Sequence, residues 1–277
     1  MINFLLGQPS TDLLSTEIFS RAAQEAFAAP GAADRMLQYA HEKGNPLFLE
    51  RLAKFLSAEY KDDVPVKNLC ATPGASLAVQ HILTMLTRPA STTRFAFFQN
   101  PTYHFEYKIF SDVGFTDNQF VGVPEDSDGL CTDSFEEILR ARFPAGPEVS
   151  DDAFYSAVLY CVPTHANPSS TILSHARRAE LVRLAREYNV LVICDDVYDM
   201  LTFDQDPLPR RLVAYDLDDL QHKQCGRPVV ISNGSFSKIL APGSRAGWIE
   251  AHPELVDRLG LWYGLHCMPL LSIHTAF

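Results

Sequence analysis

Apolar positions along the chain follow two alternating rhythms. Short runs rich in β-branched and aromatic side chains recur at 94–98, 120–123, 157–162, 190–194, 229–232 and 246–250, with a shorter one at 68–71. Between several of them the apolar residues are three and four apart: Val79, Ile82, Leu83 and Leu86, then Leu181, Leu184, Ala185 and Tyr188. The first rhythm predicts strands and the second amphipathic helices. Phe48, Leu52 and Phe55 mark an earlier helix, before Tyr60. Asp133 and Glu136 have the spacing of a capping pair and open a helix through Leu139.

The runs at 157–162 and 190–194 are apolar throughout, as in strands buried on both faces. A helix over 174–189 joins them, which predicts a right-handed βαβ crossover. The expected fold class is α/β: a mainly parallel sheet covered by helices on both faces. A ligand is then expected at the carboxyl ends of the strands. The chain has no internal repeat. Residues 141–152 read as an exposed loop, and the polar, proline-broken stretch 204–226 as a long connection or insertion. From Pro253 a helical, apolar stretch runs to His274-Thr275-Ala276-Phe277 without a polar tail, so the chain is expected to end part-way through an element.

Composition narrows the function classes. Of 277 residues, 47% are apolar and 21% charged, which supports a substantial core. Lys plus Arg number 23 against 34 Asp plus Glu, a net charge of −11. That balance argues against sequence-independent nucleic-acid binding and against polybasic attachment to a membrane. No apolar run reaches the roughly 18 residues of a membrane helix. The start, Met1 to Gly7, has no basic region and is broken by Gln8-Pro9-Ser10, so no secretory signal is expected. The six cysteines (70, 131, 161, 194, 225 and 267) are scattered singly, which predicts a reducing compartment, the cytosol.

Polar motifs follow five of the candidate strands. Ser235-Phe236-Ser237-Lys238 comes just after 229–232, with Arg245 seven residues beyond the lysine. Lys238 can form a Schiff base with an aldehyde. The Ser235 and Ser237 hydroxyls can bond a phosphate that Arg245 grips through its planar donor fork. The plain alternative is a solvated lysine and arginine in a turn. Asp195-Asp196-Val197-Tyr198 closes the apolar run at 190–194. A carboxylate there is costly unless paired, and a pyridinium N–H is a suitable partner for Asp195. Tyr198 can donate to a ring oxygen. The alternative is an aspartate that caps the next turn.

Pro73-Gly74-Ala75-Ser76 opens the helix after 68–71. Its free N–H groups form a phosphate site that Gly74 lets a ligand approach closely; an ordinary helix start is the alternative. Tyr103, in Asn100-Pro101-Thr102-Tyr103, can lie flat on a heteroaromatic ring or simply pack on the core. Asn167, in His165-Ala166-Asn167-Pro168-Ser169-Ser170, can bond the same ring oxygen as Tyr198, although Asn-Pro also opens ordinary turns. Together the motifs supply an aldehyde-reactive amine, a ring-nitrogen partner, a ring face, a ring-oxygen pair and a phosphate cradle. One molecule uses all of them: pyridoxal 5′-phosphate.

In this order the motifs resemble the class I/II aminotransferases of the fold type I pyridoxal-phosphate superfamily, in particular the 2-aminoadipate and kynurenine aminotransferases. The resemblance runs from Phe4-Leu5-Leu6-Gly7-Gln8-Pro9, through Leu37-Gln38-Tyr39 and Gly44, to Gly247-Trp248. It implies a mixed, mainly parallel sheet of the seven-stranded type. It also implies that residues 1–45 form an N-terminal arm and dimer-contact segment, and 46–277 the cofactor-binding large domain. By resemblance Lys238 holds the cofactor, Asp195 its ring nitrogen, Tyr198 and Asn167 its ring oxygen, and Tyr103 its face. The phosphate falls to Gly74, the Ala75 and Ser76 amides, Ser235, Ser237 and Arg245. Tyr39 would reach the phosphate of a neighbouring subunit in a homodimer. The implied reaction moves an amino group from an α-amino acid to a 2-oxo acid such as 2-oxoglutarate.

Two features depart from the family. Asn167-Pro168-Ser169-Ser170 stands where the family reads Asn-Pro-Thr-Gly. By the same resemblance the chain is expected to lack the family's small C-terminal domain, whose arginine clamps the substrate carboxylate. Two other expectations fit the same motifs: a pyridoxal-phosphate lyase or cyclopropane-carboxylate synthase, and an inactive cofactor-binding or dimerising fragment.

Overall fold

A computed structural model describes residues 8–39, 41–147, 154–203, 208–223 and 226–261. The start of the resemblance at Phe4 to Gly7, Cys225, and the final stretch 262–277 with Cys267 lie outside the described residues. Three helices precede the sheet: α1 (Thr16–Ala28), α2 (Ala32–Leu37) and α3 (Pro46–Tyr60). Then follow β1 (Leu69–Thr72), α4 (Ala75–Leu86), β2 (Phe95–Asn100), α5 (Phe105–Asp112), β3 (Phe120–Asp126), β4 (Gly129–Leu130) and α6 (Thr132–Arg142). The chain continues with β5 (Ala157–Cys161), α7 (His175–Glu187), β6 (Val190–Asp195), α8 (Leu212–Lys223), β7 (Val230–Ser235), β8 (Gly247–Ala251) and α9 (Pro253–Gly260).

The sheet has eight strands in the order β1-β8-β7-β6-β5-β2-β3-β4. Pairs β7·β6, β6·β5, β5·β2 and β2·β3 are parallel, whereas β8 is antiparallel to both β1 and β7. Seven strands form the mixed sheet, and β4 adds a two-residue antiparallel edge to β3. Since β8 alone is reversed between β1 and β7, strands β1, β2, β5, β6 and β7 all end on the same edge. Residues just before β8 return to that edge.

Every residue of β5, β6 and β7 is buried, so both faces of the sheet centre are covered. The spaced apolar residues of α4 and α7 do this work: Ile82, Leu83, Leu86, Leu181, Leu184 and Ala185 are fully buried. Asn45 caps α3 by accepting from the amides of Leu47 and Phe48, with Pro46 in the first turn.

Several boundaries differ from the sequence expectation. The buried stripe of α3 is Leu49, Leu52, Ala53 and Leu56, while Phe55 is partly exposed. Helix α6 starts after Cys131, and no side chain caps it, so Asp133 and Glu136 are not a capping pair. Glu136 instead pairs with Arg140 and Arg183 across the surface. Stretch 204–226 is no plain connection, because it contains α8. Asp216 explains the misreading: this fully buried carboxylate accepts the amides of Val229 and Val230 at 2.9 and 3.1 Å and pairs with Arg186. A polar residue thus occupies the core face of the helix. Within 141–152, α6 continues through Arg142 and a turn follows; residues 148–153 lie outside the described residues. No helix among the described residues is long and apolar enough to cross a membrane.

Candidate active site

The shared strand edge gathers polar residues at the ends of β1, β2, β5, β6 and β7. Asp195 is the last residue of β6 and is 8% exposed. Tyr160, from the neighbouring strand β5, donates its hydroxyl proton to Asp195 Oδ2 at 2.6 Å. Burial pushes the Asp195 carboxyl up to about 6; the Tyr160 hydrogen bond and the positive charge of Lys238 act against it, and neighbouring Asp196 adds to it. Burial first, then the Asp195 charge, raises the Tyr160 phenol well above its usual range, so it stays a donor. Asp195 Oδ1 is buried and has no hydrogen-bond partner. An orphaned carboxylate oxygen is expensive without an N–H to accept from.

Lys238 follows β7 in an exposed turn, its Nζ 5.9 Å from the centre of the Tyr198 ring. Its positive charge acts on the Asp195 carboxyl. Asn167 hydrogen-bonds the Tyr198 hydroxyl, and the charges of Asp195 and Tyr103 act on the same phenol. The turn carrying Asn167 is tied to the one after Tyr198 by His165, whose Nε2 meets Thr202 Oγ1 at 2.7 Å. Tyr103 lies between β2 and α5, with the rings of His104 and Phe105 5.6 and 5.5 Å away.

A second cluster lies at the start of α4. Gly74 is its N-cap, at φ +95° and ψ 167°, and no side chain caps the first turn. The Ala75 and Ser76 amides therefore belong to an uncapped helix start, which suits an anion. Arg245 comes back from the start of β8, donating Nη2 to the Pro73 carbonyl at 3.1 Å and Nη1 to that of Pro242 at 3.0 Å. A Cβ on Gly74 would sit 2.5 Å from Arg245 Nη2, so the guanidinium lies directly against the glycine. Ser235 Oγ donates to Ser237 Oγ at 2.9 Å and accepts the Ser237 amide at 3.1 Å. Arg245 itself holds a left-handed φ of +46°.

The structure thus brings Gly74, Ala75, Ser76, Ser235, Ser237 and Arg245 to one end of the site. Asp195 marks the other end, with Lys238, Tyr198, Asn167 and Tyr103 between. Tyr39 stands apart and is 81% exposed. The sequence reading missed several supporting residues. Asn233 ties β7 to α4 by donating to the Ala75 carbonyl at 3.1 Å. Gly234 lies against Trp248, where a Cβ would come within 2.1 Å of the indole. Tyr160 was detectable in principle, because a tyrosine inside a wholly apolar strand needs a partner for its hydroxyl. Glu106, on the first turn of α5, is 3% exposed and gave no sequence signal.

The fit to an aromatic phosphate rests on two observations: an unpartnered buried carboxylate oxygen at one end, and an uncapped helix start with an adjacent arginine at the other. Comparisons with known proteins agree. The family described as "Aminotransferase class I and II" matches residues 1–276. Aromatic-amino-acid aminotransferase 1 of Thermococcus litoralis is 29% identical over 262 residues, covering 94% of this chain and 56% of the relative. The mitochondrial kynurenine/alpha-aminoadipate aminotransferase of Bos taurus is 29% identical over 82% of this chain and 51% of the relative. The crystal structure of Pyrococcus horikoshii kynurenine aminotransferase, in complex with PMP, superposes with a TM-score of 0.78 at 27% identity, covering 98% of this chain and 61% of that one. This chain therefore spans about half to three-fifths of the length of these relatives. On the match across nearly its whole length, the chain belongs to the class I and II aminotransferase family.

Proposed function

We propose that the protein is a pyridoxal-phosphate-dependent aminotransferase that moves an amino group from an α-amino acid to a 2-oxo acid such as 2-oxoglutarate. The observation that carries this reading is Asp195 Oδ1, buried and unpartnered at the strand edge that also presents the Lys238 amine. Bound pyridoxal phosphate supplies an electron sink for the bonding pair released at the substrate Cα. The chain's own residues do the rest. Asp195 accepts the ring N–H, and Tyr160 keeps that carboxylate oriented. Asn167 and Tyr198 hold the ring oxygen, and Tyr103 covers the ring face. The α4 amides of Ala75 and Ser76, next to Gly74, hold the phosphate with Ser235, Ser237 and Arg245. The Lys238 ε-amine would anchor the cofactor and, once displaced by the substrate's amino group, would carry a proton from the substrate Cα to the cofactor's aldehyde carbon.

Residues 46–277 are read as the cofactor-binding large domain. Residues 1–45 are read as an arm contacting a second copy of the chain, with Tyr39 reaching that copy's phosphate. The exposure of Ile18, Phe27, Leu37 and Tyr39, and the lack of a buried residue on α1, support the arm. The free thiols of Cys70, Cys131, Cys161 and Cys194 support a cytosolic setting.

The test is a single-turnover reaction of cofactor-loaded protein with a panel of amino acids, followed by absorbance and product analysis. Formation of the 2-oxo acid together with pyridoxamine phosphate, reversed by 2-oxoglutarate, is expected. Pyruvate and ammonia released without an acceptor acid would mark a lyase instead. Cofactor-loaded protein that turns over no member of the panel would overturn the aminotransferase reading.

A further inference from the structure

Beside the ring-nitrogen end of the site lies an acid that the proposed reaction does not use. Glu106 sits in the first turn of α5, and its amide donates to the Tyr103 carbonyl at 3.2 Å. The turn that places Tyr103 over the site therefore also fixes Glu106. The side chain is 3% exposed, and Oε2 is buried without a hydrogen-bond partner. Three groups from three elements share its electrostatic surroundings: Tyr103 before α5, Tyr160 on β5 and Asp195 on β6. The nearby cation on its own helix, Lys108, pairs with Asp112.

We propose that Glu106 is a positioning residue for the ring-nitrogen end of the cofactor site: a second buried carboxyl group in the cluster of Tyr103, Tyr160 and Asp195, fixed by the turn that carries Tyr103. The inference rests on reading Asp195 as the ring-nitrogen partner. Two carboxylates in one buried site do not both ionise readily. Asp195 ionises first because it has the Tyr160 hydrogen bond and the Lys238 charge to support it. Glu106 has neither. Burial, then the charge of Asp195, pushes it up to about 8. At neutral pH the pair therefore holds one proton and one charge, and the ring N–H faces a single carboxylate. Above the Glu106 midpoint a second negative charge appears beside the ring.

The test has two arms. First, side-chain carboxyl carbons are titrated by NMR in cofactor-free wild type, Glu106→Gln and Asp195→Asn. The expected result is a glutamate step near 8 in wild type that is lost in Glu106→Gln. In Asp195→Asn that step should move down by about one pH unit, as removal of a neighbouring like charge requires. A Glu106 step that stays put in Asp195→Asn overturns the pairing, whether or not cofactor binds. Second, the visible band of pyridoxal phosphate bound to wild type, Glu106→Gln and Glu106→Asp is followed against pH. An alkaline step present in wild type, lost in Glu106→Gln and restored in Glu106→Asp is expected. Identical profiles in wild type and Glu106→Gln overturn the role of Glu106 alone, whereas wild type that binds no cofactor overturns the reading of the whole site.

Discussion

Replacing Gly74 by alanine perturbs the site in two ways that can be measured separately. Its backbone, at φ +95° and ψ 167°, lies in a region essentially restricted to glycine. Forcing an L-residue there costs about 1–3 kcal/mol of stability. The new Cβ would also sit 2.5 Å from Arg245 Nη2. A flexible guanidinium relieves that contact by moving, and so leaves the start of α4. Losing one charge-assisted hydrogen bond to an anion costs about 1.5–3 kcal/mol, roughly a 10- to 100-fold loss of affinity. Gly74→Ala should therefore lower both the urea midpoint and pyridoxal-phosphate affinity, the latter read by absorbance or fluorescence titration. Gly114→Ala is the control. That glycine has φ +105°, and a Cβ added there would meet nothing within 4 Å, so the substitution adds strain without a clash. It should lose stability but bind cofactor as wild type does. Gly74→Ala protein that binds as tightly as wild type would refute the joint phosphate site of α4 and Arg245.

Further outcomes follow from the buried charges and the packing. Because burial raises Asp195 to about 6, the folded state binds its proton more tightly than the unfolded chain, and stability falls as pH rises from about 4 to about 6. The loss is on the order of 3 kcal/mol by pH 7. Asp195→Asn should raise the Tm of cofactor-free protein at pH 7.5, less so at pH 5, while weakening cofactor binding; an unchanged or lower Tm at pH 7.5 counts against this. Arg211 binds buried Glu250 through two hydrogen bonds, of 2.9 and 2.8 Å. Arg211→Met strands that carboxylate and should cost about 3–5 kcal/mol in urea unfolding, and Arg211→Met/Glu250→Leu should recover most of it. Gly234→Ala drives a methyl into the Trp248 indole and should cost about 3 kcal/mol or more, since β7 and β8 leave the ring no room; near-wild-type stability would show that the strands can separate there.

Much of this architecture is legible in the sequence because local signals agree with the fold. The continuously apolar strands β5 and β6 read as buried, and α4 and α7 carry their apolar stripes at helical spacing. The polar residues that follow the strands stand out because chemistry-bearing types occur where an apolar run stops. What escapes the sequence lies where tertiary packing reverses a local preference. In α8, Asp216 sits on the core face and serves the first amides of β7, so the helix looks polar. Strand β4 has two residues, too few for any alternation. Glu106 occupies a helix first turn, where a glutamate is ordinarily solvated and favours the dipole. Only the folded chain shows that Tyr103, Tyr160 and Asp195 surround it. Asp133 and Glu136 have the spacing of a cap, yet the first turn of α6 starts two residues too early for Asp133 to serve as one.

The central claim is that the amine at position 238 is the one that joins pyridoxal phosphate, opposite the carboxylate of Asp195. Borohydride reduction of the cofactor-loaded protein, followed by proteolysis and mass spectrometry, tests it directly. A phosphopyridoxyl adduct on the peptide containing Lys238, absent after Lys238→Ala, is expected. No adduct, or one on a different lysine, would contradict it.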